Sequence, residues 1–311
     1  MGSAKRQLRA STVASCVLFA ILAPAATLAA QDQHPPALPP GELVRLTVAN
    51  EVAAARDSNI KHLFCSHRKT QKGSQTRLYV ETSDAMAGML IAVDDHPLTP
   101  AQEQAEAGHL TWLIDNPEQL RKKQVREKED EERTLRIVKA LPEAFRYEYA
   151  GTEDGAPGVG DAGTLVRLKF TPNPSYSPPT HVEQVLTGME GYLLIDSASH
   201  RLARIDGTLF RDVTFGWGIA GRLDKGGRFV VQQADVGDGA WEITEMRLAI
   251  TGKILLFKSL NMVSDESFSD FQRVPDTLPF ARGVELLKAE QKKLEPGTPS
   301  PQPTDAKKIP Q

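Results

Sequence analysis

The sequence predicts an α+β fold: a curved antiparallel sheet covered by helices. Three observations predict it. From residue 144 onward short β-forming runs follow one another with Gly, Asp and Pro between them and no helical crossover, so neighbours should pair antiparallel. Residues 42–57 and 99–141 carry helical spacing and can supply the cover. Leu193-Leu194-Ile195 and Phe229-Val230-Val231 are apolar on both faces of a strand, so the sheet must be covered twice.

The 311 residues are 40% hydrophobic and 25% charged, an ordinary globular composition. Lys5, Arg6 and Arg9 precede the apolar run Val13 to Ala26 and then small residues, which reads as a signal peptide over 1–30, cut after Ala29 or Ala30. That run is shorter than the roughly 20 residues that span a bilayer, and nothing later is longer, so no transmembrane span is expected in the mature chain. The expected location is periplasmic or secreted. Losing the leader takes the net charge from −3 to about −6, against a nucleic-acid partner. It also leaves Cys65 alone, so no intramolecular disulfide can form and a buried thiol is expected.

Residues 31–58 hold the stiff linker His34-Pro-Pro-Ala-Leu-Pro-Pro40 and a first helix, where Leu43, Leu46, Val48, Val52 and Ala55 recur at helical spacing. Residues 59–98 read as a meander of three short strands, 60–69, 76–81 and 89–93, with a turn at Lys72-Gly73-Ser74. Residues 99–142 read as two consecutive helices. Thr99-Pro100-Ala101-Gln102 starts the first with a capping box, and Asn116-Pro117 with Gln119 repeats the device for a second that Pro142 should stop. Its stretch REKEDEERT (126–134) has no apolar residue and should run through solvent or between lobes.

Residues 143–272 form the main sheet, with strands expected at FRYEY, TLVRLKF, EQVLTGMEGYLLI, HRLARIDGTLF, RFVVQQADV, WEITEMRLAI and KILLFKSLN. The span 59–272 is expected to be one domain. Within the C-terminal segment 273–311, Pro296, Pro299, Pro301, Pro303 and Pro310 stand among polar residues, so the tail from about Ala289 should not fold.

No motif announces a reaction. Gly158, Gly160 and Gly163, like Gly216, Gly218 and Gly221, match a dinucleotide pattern, but each set leads into a strand rather than the helix such a site needs, and turns are the simpler role. His62, Cys65 and His67 cannot all share one strand face, so no metal site is expected. Asp196, Asp206, Asp212, Asp235 and Asp238 fall at strand ends, where Asp usually shapes turns. No catalytic residue and no cofactor are expected. The aromatic set Phe210, Phe215, Trp217, Phe229 and Trp241 either fills a core or faces an apolar cavity.

The runs Gly191-Tyr-Leu-Leu-Ile-Asp196, Arg201-Leu-Ala-Arg-Ile-Asp-Gly207, Phe229-Val-Val-Gln-Gln and Gly239-Ala-Trp-Glu resemble the hairpins of periplasmic lipoprotein-sorting carriers of the LolA and LolB type. PNPSYSPP (172–179) and VTFGWGIAGRLDKGG (213–227) are similar to secreted bacterial proteins grouped with them. Over residues 144–270 this resemblance implies an unclosed barrel with a helical lid over a cavity for acyl chains. The helices at 99–141 are larger than such a lid and the tail is extra, so no lid residue is carried over. The expected function is non-enzymatic binding or shuttling of a lipid or acylated protein in the cell envelope. The alternative is a structural or regulatory module with a filled core that binds another envelope protein.

Overall fold

The computed structural model describes residues 38–57, 59–215, 221–237, 239–254 and 258–294. The leader at 1–30, Trp217, Asp238 and the Pro-rich tail beyond 294 lie outside the described residues.

Helix α1 (Pro40–Arg56) opens on a proline, whose missing N–H costs nothing in the first turn. It buries Leu43, Val44, Thr47 and Val48, so its apolar stripe is rotated from the expected one and Leu46 is exposed. Strands β1 (Lys61–Thr70), β2 (Gly73–Val80), β3 (Ala87–Val93) and β4 (His96–Pro97) make the expected meander. Its last hairpin turns on Asp94 and Asp95, whose φ values of 50° and 61° are what a two-residue type I′ turn demands.

Helix α2 (Pro100–Asp115) starts with the expected capping box, Thr99 N–H donating to Gln102 Oε1 at 2.9 Å. Asn116 does not repeat it. Its side-chain amide donates to the Trp112 carbonyl at 2.7 Å and closes α2 instead of opening the next helix. Helix α3 (Pro117–Ala144) passes through Pro142 rather than stopping there, because in the last turn only one backbone bond is lost. The helix is held at its ends: Leu120 packs on one core, and Ile137, Val138, Leu141 and Ala144 pack on another. Between them residues 126–134 are exposed apart from half-buried Glu127.

The long strands β5 (Phe145–Ala156) and β6 (Val159–Pro172) turn at Pro157-Gly158, with Gly158 at φ 82°. The glycine pattern starting there is therefore a turn. The run EQVLTGMEGYLLI is not one strand: a single turn α4 (His181–Gln184) and a 3-10 turn (Val185–Gly188) precede β7 (Met189–Asp196). Thr180 caps that turn by accepting the Val182 N–H at 3.1 Å, which ends the extended backbone locally. Then come β8 (Leu202–Leu209), β9 (Val213–Phe215), β10 (Gly221–Leu223), β11 (Arg228–Asp235), β12 (Trp241–Ile254) and β13 (Lys258–Val274). The run KILLFKSLN straddles the end of β12 and the start of β13 rather than forming one strand. Helix α5 (Phe280–Leu294) corrects the expected onset of the unfolded tail at Ala289. Phe280, Gly283, Val284 and Leu287 recur at i, i+3, i+4 and i+7 and are all buried.

The strands form one sheet in the order β4-β3-β2-β1-β13-β12-β11-β8-β7-β6-β5, with the β9–β10 hairpin attached to β12. The order starts at β4 and ends at β5 without joining them, so the ring is unclosed. Sequence neighbours pair as expected, and one long-range pairing, β1 with β13, unites the meander with the main sheet. At that seam Ser66 Oγ donates to Glu266 Oε1 at 2.6 Å. Gly191 and Gly207 face each other across β7 and β8, and a Cβ at Gly191 would lie 1.9 Å from the Asp206 carbonyl oxygen. Only glycine allows the strands to coil so closely there.

Two main cores result. One joins α1 and the end of α3 to β5–β8, with Phe145, Leu168, Phe170, Leu193 and Ile195 at its centre. The other joins α2 and α5 to β1–β3, around Val80, Met89, Leu110, Phe280 and Leu287. A small third cluster holds Leu165, Leu194 and Ala203.

Candidate functional site

Helix α3 contributes Ile137 and Leu141, one turn apart on the same side of an otherwise charged helix. Beneath them β8 presents Ile205 and Leu209, while Arg204, Asp206 and Thr208 alternate to the other side. Between these surfaces lies a cavity of about 230 Å³. Phe145, Phe170 and Met189 line it from β5, β6 and β7, and Val185 and Leu186 from the 3-10 turn. Phe229 on β11 and Leu248 and Ile250 on β12 complete it. Gly207 leaves room for this wall, since a Cβ there would meet Met189 at 2.6 Å and Phe229 at 3.3 Å.

Arg228 supplies the charged side chain of the lining, and its guanidinium is turned to the rim, forked onto Asp206 at 3.0 and 2.7 Å. Arg228 is more than half exposed, so water screens the pair and it adds little stability. An apolar ledge continues from the cavity. Met246, Leu248 and Ile250 alternate on one face of β12, and Met262 of β13 stands directly opposite Ile250. Met246 and Met262 remain 37% and 44% exposed. Such a wall can bury hydrocarbon but offers no nucleophile, acid or base among the described residues.

The five aromatic residues of the sequence reading are not brought together. Phe229 lines the cavity, and Phe215 packs on the same core with His181 edge-on at 6.4 Å. Phe210 lies beside Arg211 and away from the cavity wall. Trp241 packs on the small third cluster, with the Arg201 guanidinium 5.5 Å above its ring. Trp217 is outside the described residues. The wall is mainly aliphatic; its legible signals were the alternation Ile205-Gly207-Leu209 and the i, i+4 pair Ile137 and Leu141.

The aspartates shape turns and ion pairs. Asp196 Oδ1 accepts from the N–H groups of Ala198 and Ser199 at 3.0 and 2.7 Å, Asp235 accepts from Gly237 N–H, and Asp212 from Lys225 N–H. Cys65 is half-buried, and burial pushes its thiol above the usual range, with the nearby Asp270 charge adding to the effect.

A polar cluster forms where β1, β2 and β12 converge. His62 Nδ1 lies 3.0 Å from Glu242 Oε1, and the His62 N–H donates to Glu81 Oε2 at 2.8 Å. One candidate ligand atom from each of the three residues lies within 4.8 Å of the others. The His62 side chain is 6% exposed and that of Glu242 31%. Burial pushes Glu242 up to about 7 against the pull of Arg201, and burial likewise raises Glu81. Burial lowers His62, although the Glu81 charge opposes it. Cys65 and His67 do not join this cluster; His67 meets Thr76 Oγ1 at 3.1 Å.

No protein-family model matches the chain, and no curated protein matches it. It is similar to a solved domain named as an outer membrane lipoprotein-sorting protein from Vibrio parahaemolyticus, at 11% identity and a TM-score of 0.31, over 80% of this chain and 98% of that one. It is also similar to a DUF1329 family protein from Desulfovibrio piger, at 10% identity and a TM-score of 0.23, over 74% of this chain and 92% of that one. Both likenesses are distant, and the functional reading rests on the chain's own geometry. No described helix is long and apolar enough to cross a membrane.

Proposed function

We propose that this is a non-enzymatic envelope protein that binds the acyl chain of a lipid or an acylated protein in the cavity between α3 and the sheet. The observation that supports this is the cavity itself: about 230 Å³ with an almost wholly apolar wall. Apolar cavities of about 150 Å³ stay dry and take up a benzene-sized molecule, so this volume holds a short hydrocarbon segment. The ledge at Met246 and Met262 extends the apolar path for the rest of a chain. Each methylene transferred from water contributes about 0.8 kcal/mol, so binding needs no specific polar contact. The basic and apolar leader supports an envelope location.

The test is displacement of a fluorescent fatty acid from the purified mature chain, with native mass spectrometry of the protein taken from its own envelope. Saturable binding that an unlabelled fatty acid displaces is expected. Leu248→Trp, which projects an indole into the cavity, should abolish it while the circular dichroism spectrum stays unchanged. A probe that binds wild type and Leu248→Trp equally, or binds neither, refutes the proposal.

A further inference from the structure

We propose that His62, Glu81 and Glu242 form a binding site for a divalent transition-metal cation, with zinc as the reference ion. The site is separate from the acyl cavity and does not depend on it. One imidazole nitrogen and two carboxylate oxygens are a borderline donor set that suits zinc and its first-row neighbours. Their candidate atoms already lie within 4.8 Å of one another, and one pair is at 3.0 Å. Tetrahedral ligation at zinc distances separates ligand atoms by about 3.4 Å, so small side-chain rotations complete the geometry.

The cluster is more than a set of acids. A side chain as buried as His62 is set between two carboxylates, with the charge of Lys61 acting on Glu81 and that of Arg201 on Glu242. Arg201, whose field reaches Glu242, is itself forked onto Glu51 at 2.8 and 3.2 Å. Two half-buried carboxylates side by side repel unless they hold protons or share a cation. A divalent ion held between them would offset that repulsion. The 31% exposure of the Glu242 side chain leaves a way in from solvent and room for a water as fourth ligand.

Backbone placement supports the same reading. Glu81 Oε2 is engaged by the His62 N–H, which orients that carboxylate and leaves its second oxygen for a ligand. His62 on β1 and Glu81, the residue after β2, belong to one hairpin while Glu242 belongs to β12, so a bound ion would clasp that hairpin to β12 across the end of β13.

The test uses the mature chain without an affinity tag, stripped by chelator and titrated with zinc in a calorimeter. One equivalent should bind, and Glu81→Gln and Glu242→Gln should each weaken it by about tenfold or more. His67→Ala, on the same strand but outside the cluster, should bind as wild type does. Zinc should also raise the Tm of wild type with concentration, as mass action requires. If a Glu variant fails to fold, the His62 ring resonances of wild type decide, since they should shift at one equivalent of zinc. Absence of saturable binding, binding indifferent to both Glu variants, or unshifted His62 resonances overturns the proposal.

Discussion

The two main cores of this protein solve the same problem differently. Around β1–β3 the sheet is closed by α5, whose Phe280, Val284 and Leu287 are each at most 2% exposed. There the helix sits so close that a Cβ at Gly283 would meet Val80 at 3.0 Å and Thr82 at 2.7 Å. Around β5–β8 the cover is α1 and the last two turns of α3, a helix whose preceding stretch is charged and exposed, and about 230 Å³ beneath α3 is left unfilled. Where α5 lies on the sheet, the first core is closely packed. The other gives up packing contacts, which a ligand would restore.

The difference can be broken most directly in the filled core. Phe280→Ala should cost about 4 kcal/mol, because the surrounding side chains are fixed and a new void opens. Urea unfolding followed by tryptophan fluorescence measures it, and a loss below about 1 kcal/mol would mean that α5 is not tightly docked. Adding volume should sharpen the contrast. Ala87→Leu, at a fully buried position of the filled core, should cost about 1–3 kcal/mol by overpacking. Leu248→Trp adds more volume on the cavity wall and should cost less, since the space exists. Equal losses in the two variants would show that the cavity is as rigidly filled as its counterpart. The smallest effect is expected at Thr99→Ala, which removes the cap of α2 and should cost about 1 kcal/mol. Thermal denaturation resolves that shift, and its absence would assign the helix start to packing alone.

Much of the fold was legible from the sequence. The capping box at Thr99, the hairpin turns and the run of strands after residue 144 are local signals, and local chemistry decides them. Elsewhere the outcome turned on a neighbour within one turn or on the face an element packs against. Pro142 is tolerated because the helix ends two residues later at Ala144 in any case. Asn116 caps the helix behind it because Trp112 offers a carbonyl. α5 went unread because a single stripe of Phe280, Gly283, Val284 and Leu287 precedes a polar tail, and its worth depends on the face it meets.

The same division holds for the candidate sites. Aromatic residues drew attention in the sequence because they are large, yet the wall of the cavity is mostly Leu, Ile and Met, which every core contains. His62 stood out beside Cys65 and His67, but the groups it meets are Glu81 and, 180 residues further on, Glu242.

By itself, then, the sequence determined the α+β class, the antiparallel order of adjacent strands, and a charged α3 that could pack only at its ends. Those follow from periodicity, turn chemistry and the absence of apolar residues, all of which act within a few residues along the chain. Only the tertiary structure decided that β13 pairs with β1 to make one sheet, that α5 fills one core while α3 leaves the other open, and that His62 meets Glu242. β13 alternates Ser, Asp and Glu with few apolar residues, so nothing local marks its partner. It pairs with a strand far away in the sequence, Ser66 opposite Phe268, through backbone groups that are the same at every residue.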